Sequence, residues 1–355
     1  MKKIYFLLSL TYFISLFALA QIPNGYYDSA EGLHGQALRA ALHDIIDDHN
    51  SINYGDIYGI LDQTDQKPNG KVWDMYSDVP GGTPPYEFSF GQDECGNYGG
   101  EGDCFNKEHS WPKSWFGGKV YPMYSDLFHI VPTDGYVNNR RGNYPYGEVG
   151  TITWLSQNGS KVGSNTYPGY TGTVFEPIDE YKGDFARNYF YMSTRYYGED
   201  SGWPGSDAVD GADLKPWTTN MLLEWNNADP VSQKEIDRCN AVFNIQGNRN
   251  PFIDHPEYVA LVWDPNAAIS ELQLSDIMNI YTSSNGEQLN IDALEAHLSD
   301  SYQIRLYNIS GQQIAQEFMQ KEHDAMNISQ LKKGCYILSL VNTQNNQSYH
   351  FKFIK

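Results

Sequence analysis

The feature that most constrains this chain is a change of period along it. From about Tyr302 onward, "YQIRLYNISGQQI", "GCYILSLVN" and "SYHFKFIK" alternate apolar with polar residues at a spacing of two, separated by Gly- and Asn-rich turns. That is the pattern of strands with one buried face. Upstream the spacing is helical. "GLHGQALRAALHDIIDDHN" repeats Leu38, Ala41, Leu42, Ile45 and Ile46 at three- and four-residue steps, and "DFARNYFYMSTRYYG" puts Phe185, Tyr189, Met192 and Tyr196 on one helical face, which reads as core. The chain is therefore expected to be α+β, with a mixed domain over residues 21–268 and a small all-β sandwich over residues 269–355. No regular alternation of strand and helix points to a parallel sheet.

Within the mixed domain, "DVPGGTPPYEFSFGQDECGNYGGEGDC", residues 78–104, is rich in Gly and Pro and reads as an extended loop with one short strand. In "DPVSQKEIDRCNAVFNIQGNRNPF", Asp229 is expected to cap a helix with Pro230 at its first position and Gly247 to stop it.

Residues 1–20 have the form of a secretory signal peptide. "MKKIYFLLSLTYFISLFALAQ" begins with two lysines, continues as an uncharged apolar run and ends in Ala18-Leu19-Ala20. No later segment is apolar and long enough to span a bilayer, so a soluble mature protein starting near Gln21 is expected; it is also expected to be a monomer. An oxidising destination also frames the four cysteines: Cys95 and Cys104 enclose a short flexible loop and are expected to pair, leaving Cys239 as a buried structural thiol and Cys335 unpaired.

Charge sets a second constraint. The chain carries a net charge of −20, and residues 21–268 hold 16 Lys and Arg against 35 Asp and Glu, or −19. A protein that binds polyanions through nonspecific contacts needs a basic patch. One exists: residues 105–145 hold Lys107, Lys113, Lys119, Arg140 and Arg141 against Glu108, Asp126 and Asp134, for +2.

Inside that island, "CFNKEHSWPKSW" places Glu108 beside His109. In a chain of 355 residues a given dipeptide occurs roughly once by chance, so context must decide its meaning. Downstream lies "PMYSDLFHIVPTDGYVNNRRGNYPYGEV". Thr133 or Asp134 can cap a helix beginning near Gly135, which puts Asn138 in its first turns and Arg141 one turn later on the same face. Glu108 offers a carboxylate and Asn138 an amide carbonyl, hard oxygen donors suited to Mg²⁺ or Ca²⁺ rather than zinc. So few protein ligands would leave positions for water and substrate oxygens.

Four blocks, "FNKEHSWPKSWF", "SDLFHIVPTDGYVNNRRGNYPYGEV", "ARNYFYM" and "QGNRNPFIDHPE", together resemble the endonuclease I family of exported nucleases, members of the ββα-metal (His-Me finger) group. The resemblance implies a ββα-metal nuclease domain in which His109 is the general base that activates water, while Glu108 and Asn138 hold one divalent ion, Mg²⁺ with Ca²⁺ or Mn²⁺ as alternatives. It implies hydrolysis of DNA or RNA phosphodiesters to 5′-phosphate and 3′-hydroxyl ends, with little sequence specificity. Relatives can carry an arginine on the scissile phosphate in a longer segment after the histidine; here either Lys119 or Arg141 is expected to supply that cation. Phe128 in "DLFH" stands where relatives often have a histidine, so His129 is expected to be structural. Arg249 in "GNRNP" is a weaker substrate-contact candidate, set against a turn stabilised by Asn side chains. The end of the chain, "LYNISGQQI…ISQLKKGCYILSL…FKFIK", resembles the C-terminal sorting domain of type IX secretion systems, implying that machinery as a partner and a secreted or cell-surface location.

Two other functions compete. A zinc hydrolase could be assembled from Cys104, His109 and His129, although no HExxH or paired CxxC spacing is present. A noncatalytic surface binding module would suit an aromatic-rich exported domain but leaves the Glu-His and Asn-Arg blocks without a role. Nothing in the sequence distinguishes a reader of the RNA 2′-hydroxyl.

Overall fold

The computed structural model describes residues 22–264, 278–284, 286–293, 302–308, 310–319, 323–342 and 348–355. The expected signal peptide and the expected domain boundary at 268 lie outside those residues. The chain forms two compact units, the first of the residues up to Glu31 and from Ala40 to Pro256, the second of Gly32–Arg39 and the residues from Glu257 onward.

The first unit takes in α1 (Gly35–Ile46) from Ala40 on and α2 (Tyr58–Thr64), then reaches the two strands that matter most, β1 (Phe105–His109) and β2 (Ile130–Asp134). They pair antiparallel, Phe105 opposite Asp134 and His109 opposite Ile130. Asp134 ends β2 and caps α3 (Gly135–Arg141), its side chain accepting from the Val137 amide at 2.8 Å. An aspartate at this position satisfies an amide that the first helical turn leaves open. The second strand of the pair therefore runs directly into the helix with no intervening loop. Next come the sheet β3 (Val149–Leu155), β4 (Lys161–Asn165) and β5 (Thr173–Glu176), the helix α4 (Lys182–Arg195), a short hairpin β6 (Val209–Asp210) and β7 (Asp213–Leu214), and the helices α5 (Pro216–Ala228), α6 (Gln233–Gln246) and α7 (Pro251–Asp254).

The core is built around α4. Every residue of that helix is buried, not only the expected face of Phe185, Tyr189, Met192 and Tyr196. Its charged positions are tolerated because they are paired: the Arg187 guanidinium forks onto Glu235, Nε to Oε1 at 2.5 Å and Nη2 to Oε2 at 2.9 Å. Tyr76, Tyr146, Phe175, Phe185 and Tyr189 pack ring on ring with centroids 4.8 to 5.7 Å apart, each buried ring contributing roughly 1.5–3 kcal/mol.

Two local expectations are corrected. The helix expected from Asp229 and Pro230 starts instead after Ser232, where Ser232 and Glu235 form a reciprocal capping box. Asp229 closes α5, and its carboxylate accepts from the Gly183 amide at 2.8 Å. Gly247 does stop α6, in the left-handed conformation at φ 84°. The loop of residues 78–104 contains no ladder strand. It is tied to β1 by one bridge at Glu94 and Phe105, and the Cys95–Cys104 disulfide, Cα to Cα 5.5 Å, closes its last part on itself.

Besides Gly32–Arg39, the second unit contains, among the described residues, α8 (Glu257–Trp263) and seven strands: β8 (Met278–Thr282), β9 (Gln288–Ala293), β10 (Tyr302–Asn308), β11 (Gln313–Phe318), β12 (His323–Asn327), β13 (Cys335–Asn342) and β14 (Ser348–Ile354). They form a sheet of order β11-β10-β13-β14 and another of order β12-β9-β8. Leu289 and Ile291 from one sheet share a buried cluster with Ile304, Leu306, Leu338 and Leu340 from the other, as the period-two pattern requires.

Candidate active site

β1 and α3 frame a polar cleft of about 430 Å³ lined by Tyr54, Asn106, Lys107, Glu108, His109, Lys113 and Asn138, among others. Three of the five residues proposed from sequence, Glu108, His109 and Asn138, thus come together. The other two do not join them as expected.

His109 ends β1 and is 6% exposed. Its Nε2 lies 3.2 Å from the Tyr124 carbonyl oxygen. A carbonyl can only accept, so Nε2 carries the proton and the lone pair of the neutral ring sits on Nδ1. Burial, with His129 nearby, holds the His109 pKa well below the usual imidazole range. The ring is therefore neutral, with a free basic nitrogen, at neutral pH. Tyr54 and Tyr124 run nearly parallel to it, with centroids 5.7 and 5.4 Å away, and fix its plane.

Glu108 is 3% exposed. Its Oε1 accepts from Arg141 Nη1 at 2.5 Å and from the Tyr76 hydroxyl at 3.0 Å, while Oε2 takes part in neither bond. Burial pushes this carboxyl upward and the Arg141 guanidinium pulls it back. Asn138 is half-buried, and its Nδ2 donates to Asn106 Oδ1 at 2.7 Å, which turns its own carbonyl oxygen away from that bond. Glu108 and Asn138 thus bring one carboxylate oxygen and one amide oxygen to the same cleft as the His109 base. Such a hard-oxygen pair fits Mg²⁺ or Ca²⁺.

Arg141 cannot be the cation for a substrate phosphate. It is 0% exposed. Besides Glu108, its guanidinium donates to the His109 carbonyl at 2.9 Å and the Ser110 carbonyl at 2.5 Å, and lies 4.6 Å above the Tyr146 ring. Burial opposes its charge, but Glu108 and the tyrosine oxygens around it outweigh burial and raise its pKa. Arg141 buckles α3 to the end of β1 and so positions Glu108 and His109. Lys119 is exposed and does not line the cleft. The chain turns at Gly117 and Gly118, φ 94° and 102°, and carries Lys119 away.

The cleft's cations are others. Lys113 heads a 3-10 turn directly after Pro112 and lines the cleft. Lys107 donates to the Tyr54 carbonyl at 3.0 Å, its Nζ 4.0 and 4.2 Å from the Tyr54 and Tyr58 ring centres, and burial lowers its pKa. Both lysines were visible in the basic island, but no local signal separated them from Lys119. Among the residues lining the cleft Glu108 is the one acid.

His129 is structural as expected: it is 0% exposed, with Nε2 2.7 Å from the Met123 carbonyl. Arg249 is also internal, its Nε donating to Asp254 at 2.5 Å and its Nη2 to Asn240 at 2.9 Å, so the turn reading of "GNRNP" holds and the substrate contact does not. The zinc alternative is overturned, since Cys104 is consumed by its disulfide. Cys239 is a buried free thiol pushed up to about 12 by burial.

Residues 34–257 match the endonuclease I family, and residues 279–355 match a secretion system C-terminal sorting domain. The chain belongs to the endonuclease I family. The extracellular ribonuclease of Bacillus subtilis (strain 168) is 36% identical over 247 residues, covering 67% of this chain and 78% of that protein. Endonuclease-1 of Buchnera aphidicola subsp. Acyrthosiphon pisum is 26% identical over 170 residues, 48% of this chain and 56% of the relative. An extracellular deoxyribonuclease of Aeromonas hydrophila is 26% identical over 172 residues, 48% and 63% of the two chains. This endonuclease I member is a nuclease that carries a sorting domain for export, and it is secreted or held at the cell surface. Among the described residues no helix is long and apolar enough to cross a membrane.

Proposed function

We propose that the protein is a metal-dependent endonuclease of low sequence specificity that hydrolyses RNA and DNA phosphodiesters at the β1–α3 cleft. The observation that carries this reading is the convergence of an Nδ1 base on His109 with the Glu108 and Asn138 oxygens in one cleft whose other charged groups are cations. The order strand, strand, helix is that of the ββα-metal group, and relatives named ribonuclease and deoxyribonuclease support both substrates.

In the reaction His109 Nδ1 takes a proton from water as that water attacks phosphorus. Positioned proton transfer of this kind contributes on the order of 10²–10⁴ in rate. The Tyr124 carbonyl holds Nε2–H and thereby keeps Nδ1 in its basic form. Glu108 Oε2 and the Asn138 carbonyl would hold one divalent ion, Mg²⁺ with Ca²⁺ or Mn²⁺ as alternatives, which when bound offsets the charge growing on the departing 3′ oxygen. Lys113, exposed at the rim, meets the substrate phosphate in place of Lys119 or Arg141. The products carry 5′-phosphate and 3′-hydroxyl ends.

Cleavage of plasmid DNA and total RNA should stop in EDTA and return with Mg²⁺. Asn138→Ala, at a half-buried position, should require a higher Mg²⁺ concentration for half-maximal rate. Full activity in EDTA would exclude the metal role.

A further inference from the structure

The catalytic cleft does not end at Asn138. It continues into a second groove of about 490 Å³ lined by Asn139, Arg140, Gly142, Asn143 and Tyr144, three of which also line the cleft. Tyr144 is 43% exposed at its edge, and among the described residues its ring and hydroxyl have no partner. Its mounting is rigid. The Tyr144 amide donates to the Arg141 carbonyl at 3.1 Å, the next residue is the buried Pro145, and the Pro145 carbonyl accepts from the Phe175 amide at 2.9 Å. A following proline narrows the backbone choices of Tyr144 further.

Beside it Arg140 is exposed but also held, its Nη2 donating to the Tyr136 hydroxyl and its Cζ 4.8 Å above the Tyr136 ring. A single exposed tyrosine is ordinary. An exposed tyrosine ring with no partner, on an anchored backbone next to a held cation in a groove continuous with a nuclease cleft, matches the two faces of one nucleotide: a base to stack and a phosphate to pair.

We propose that Tyr144 and Arg140 form a subsite for one unpaired nucleotide next to the scissile bond, and that the enzyme therefore prefers single strands. The inference rests on the cleavage site proposed above and names its substrate class. A duplex already stacks and pairs its bases and must splay one out to reach Tyr144, so the ring favours single strands selectively. Arg140, which meets backbone phosphate, favours both.

The test uses the full protein with Mg²⁺, a 5′-fluorescein single-stranded oligonucleotide and the same sequence as a blunt duplex. Tyr144→Ala should lower the ratio of kcat/KM on the single strand to that on the duplex about tenfold. Tyr144→Phe should keep the ratio, because stacking does not need the hydroxyl. Arg140→Gln should lower kcat/KM on both substrates and flatten their salt dependence. Thermal melting of each variant separates loss of fold from loss of binding. An unchanged ratio in Tyr144→Ala would overturn the subsite. Wild-type rates from His109→Ala on both substrates would instead overturn the cleavage site on which the subsite depends, so the two failures read differently.

Discussion

His109 lines the cleft and His129 lies one layer beneath it, their ring centroids 5.4 Å apart. They are held in the same way. Each points Nε2 at a backbone carbonyl, those of the consecutive residues Tyr124 and Met123, and burial lowers both pKa values. What differs is access: His109 borders the cleft, while His129 is 0% exposed. The same contrast separates Lys113 from Arg141. Both are cations of the basic island, but one stands at the rim and the other is consumed by Glu108 and two carbonyls. Residue type and hydrogen-bond pattern prepare a group for chemistry, and the layer in which it sits decides whether it reaches substrate.

That contrast can be broken experimentally. In the lower layer, Arg141→Met leaves Glu108 buried without its cation. Losing one partner of a buried pair costs about 3–5 kcal/mol, to be read from urea unfolding; a variant as stable as wild type would show that Arg141 does not buckle α3 to β1. At the rim, Lys113→Ala should raise KM several-fold and lessen the log–log salt slope by about 1, with no comparable change in stability. Lys119→Ala should leave both near wild type, and a larger effect from Lys119 than from Lys113 would reverse their assignment.

The smallest effect is in pH dependence. Burial holds the folded-state pKa of His129 below 6.5, its value in the unfolded chain. Below pH 6.5 the unfolded chain therefore binds a proton that the folded chain refuses, and stability from this residue is present above pH 6.5 and lost as pH falls. His129→Asn, which can still donate to Met123, should lose less stability between pH 6.5 and 5 than wild type. Equal pH slopes would show that His129 is not held neutral.

Much of the upper layer was legible in the sequence because its signals are local. Glu108 and His109 are adjacent, Asp134 caps the helix that carries Asn138, and the alternating tail announced its strands. The lower layer was not. Arg141 lies one turn after Asn138, and helix periodicity alone put the two on a common face; what buries Arg141 is nearby Tyr146 together with Tyr76 and Tyr189, the last two brought in from distant parts of the chain. Lys113 and Lys119 carry the same charge six residues apart. A proline-led turn points one into the cleft, and two glycines with positive φ lead the other away. Asp229 followed by Pro230 carries the local pattern of a cap, but the Ser232–Glu235 box satisfies more of the helix end.

The His109 assignment is decided by one rate. With Mg²⁺ at pH 7.5, purified His109→Ala and wild type should melt at similar temperatures, while single-turnover cleavage of a labelled oligonucleotide by the variant should be slower on the order of 10²–10⁴-fold. Cleavage by His109→Ala at the wild-type rate would mean that the base lies elsewhere.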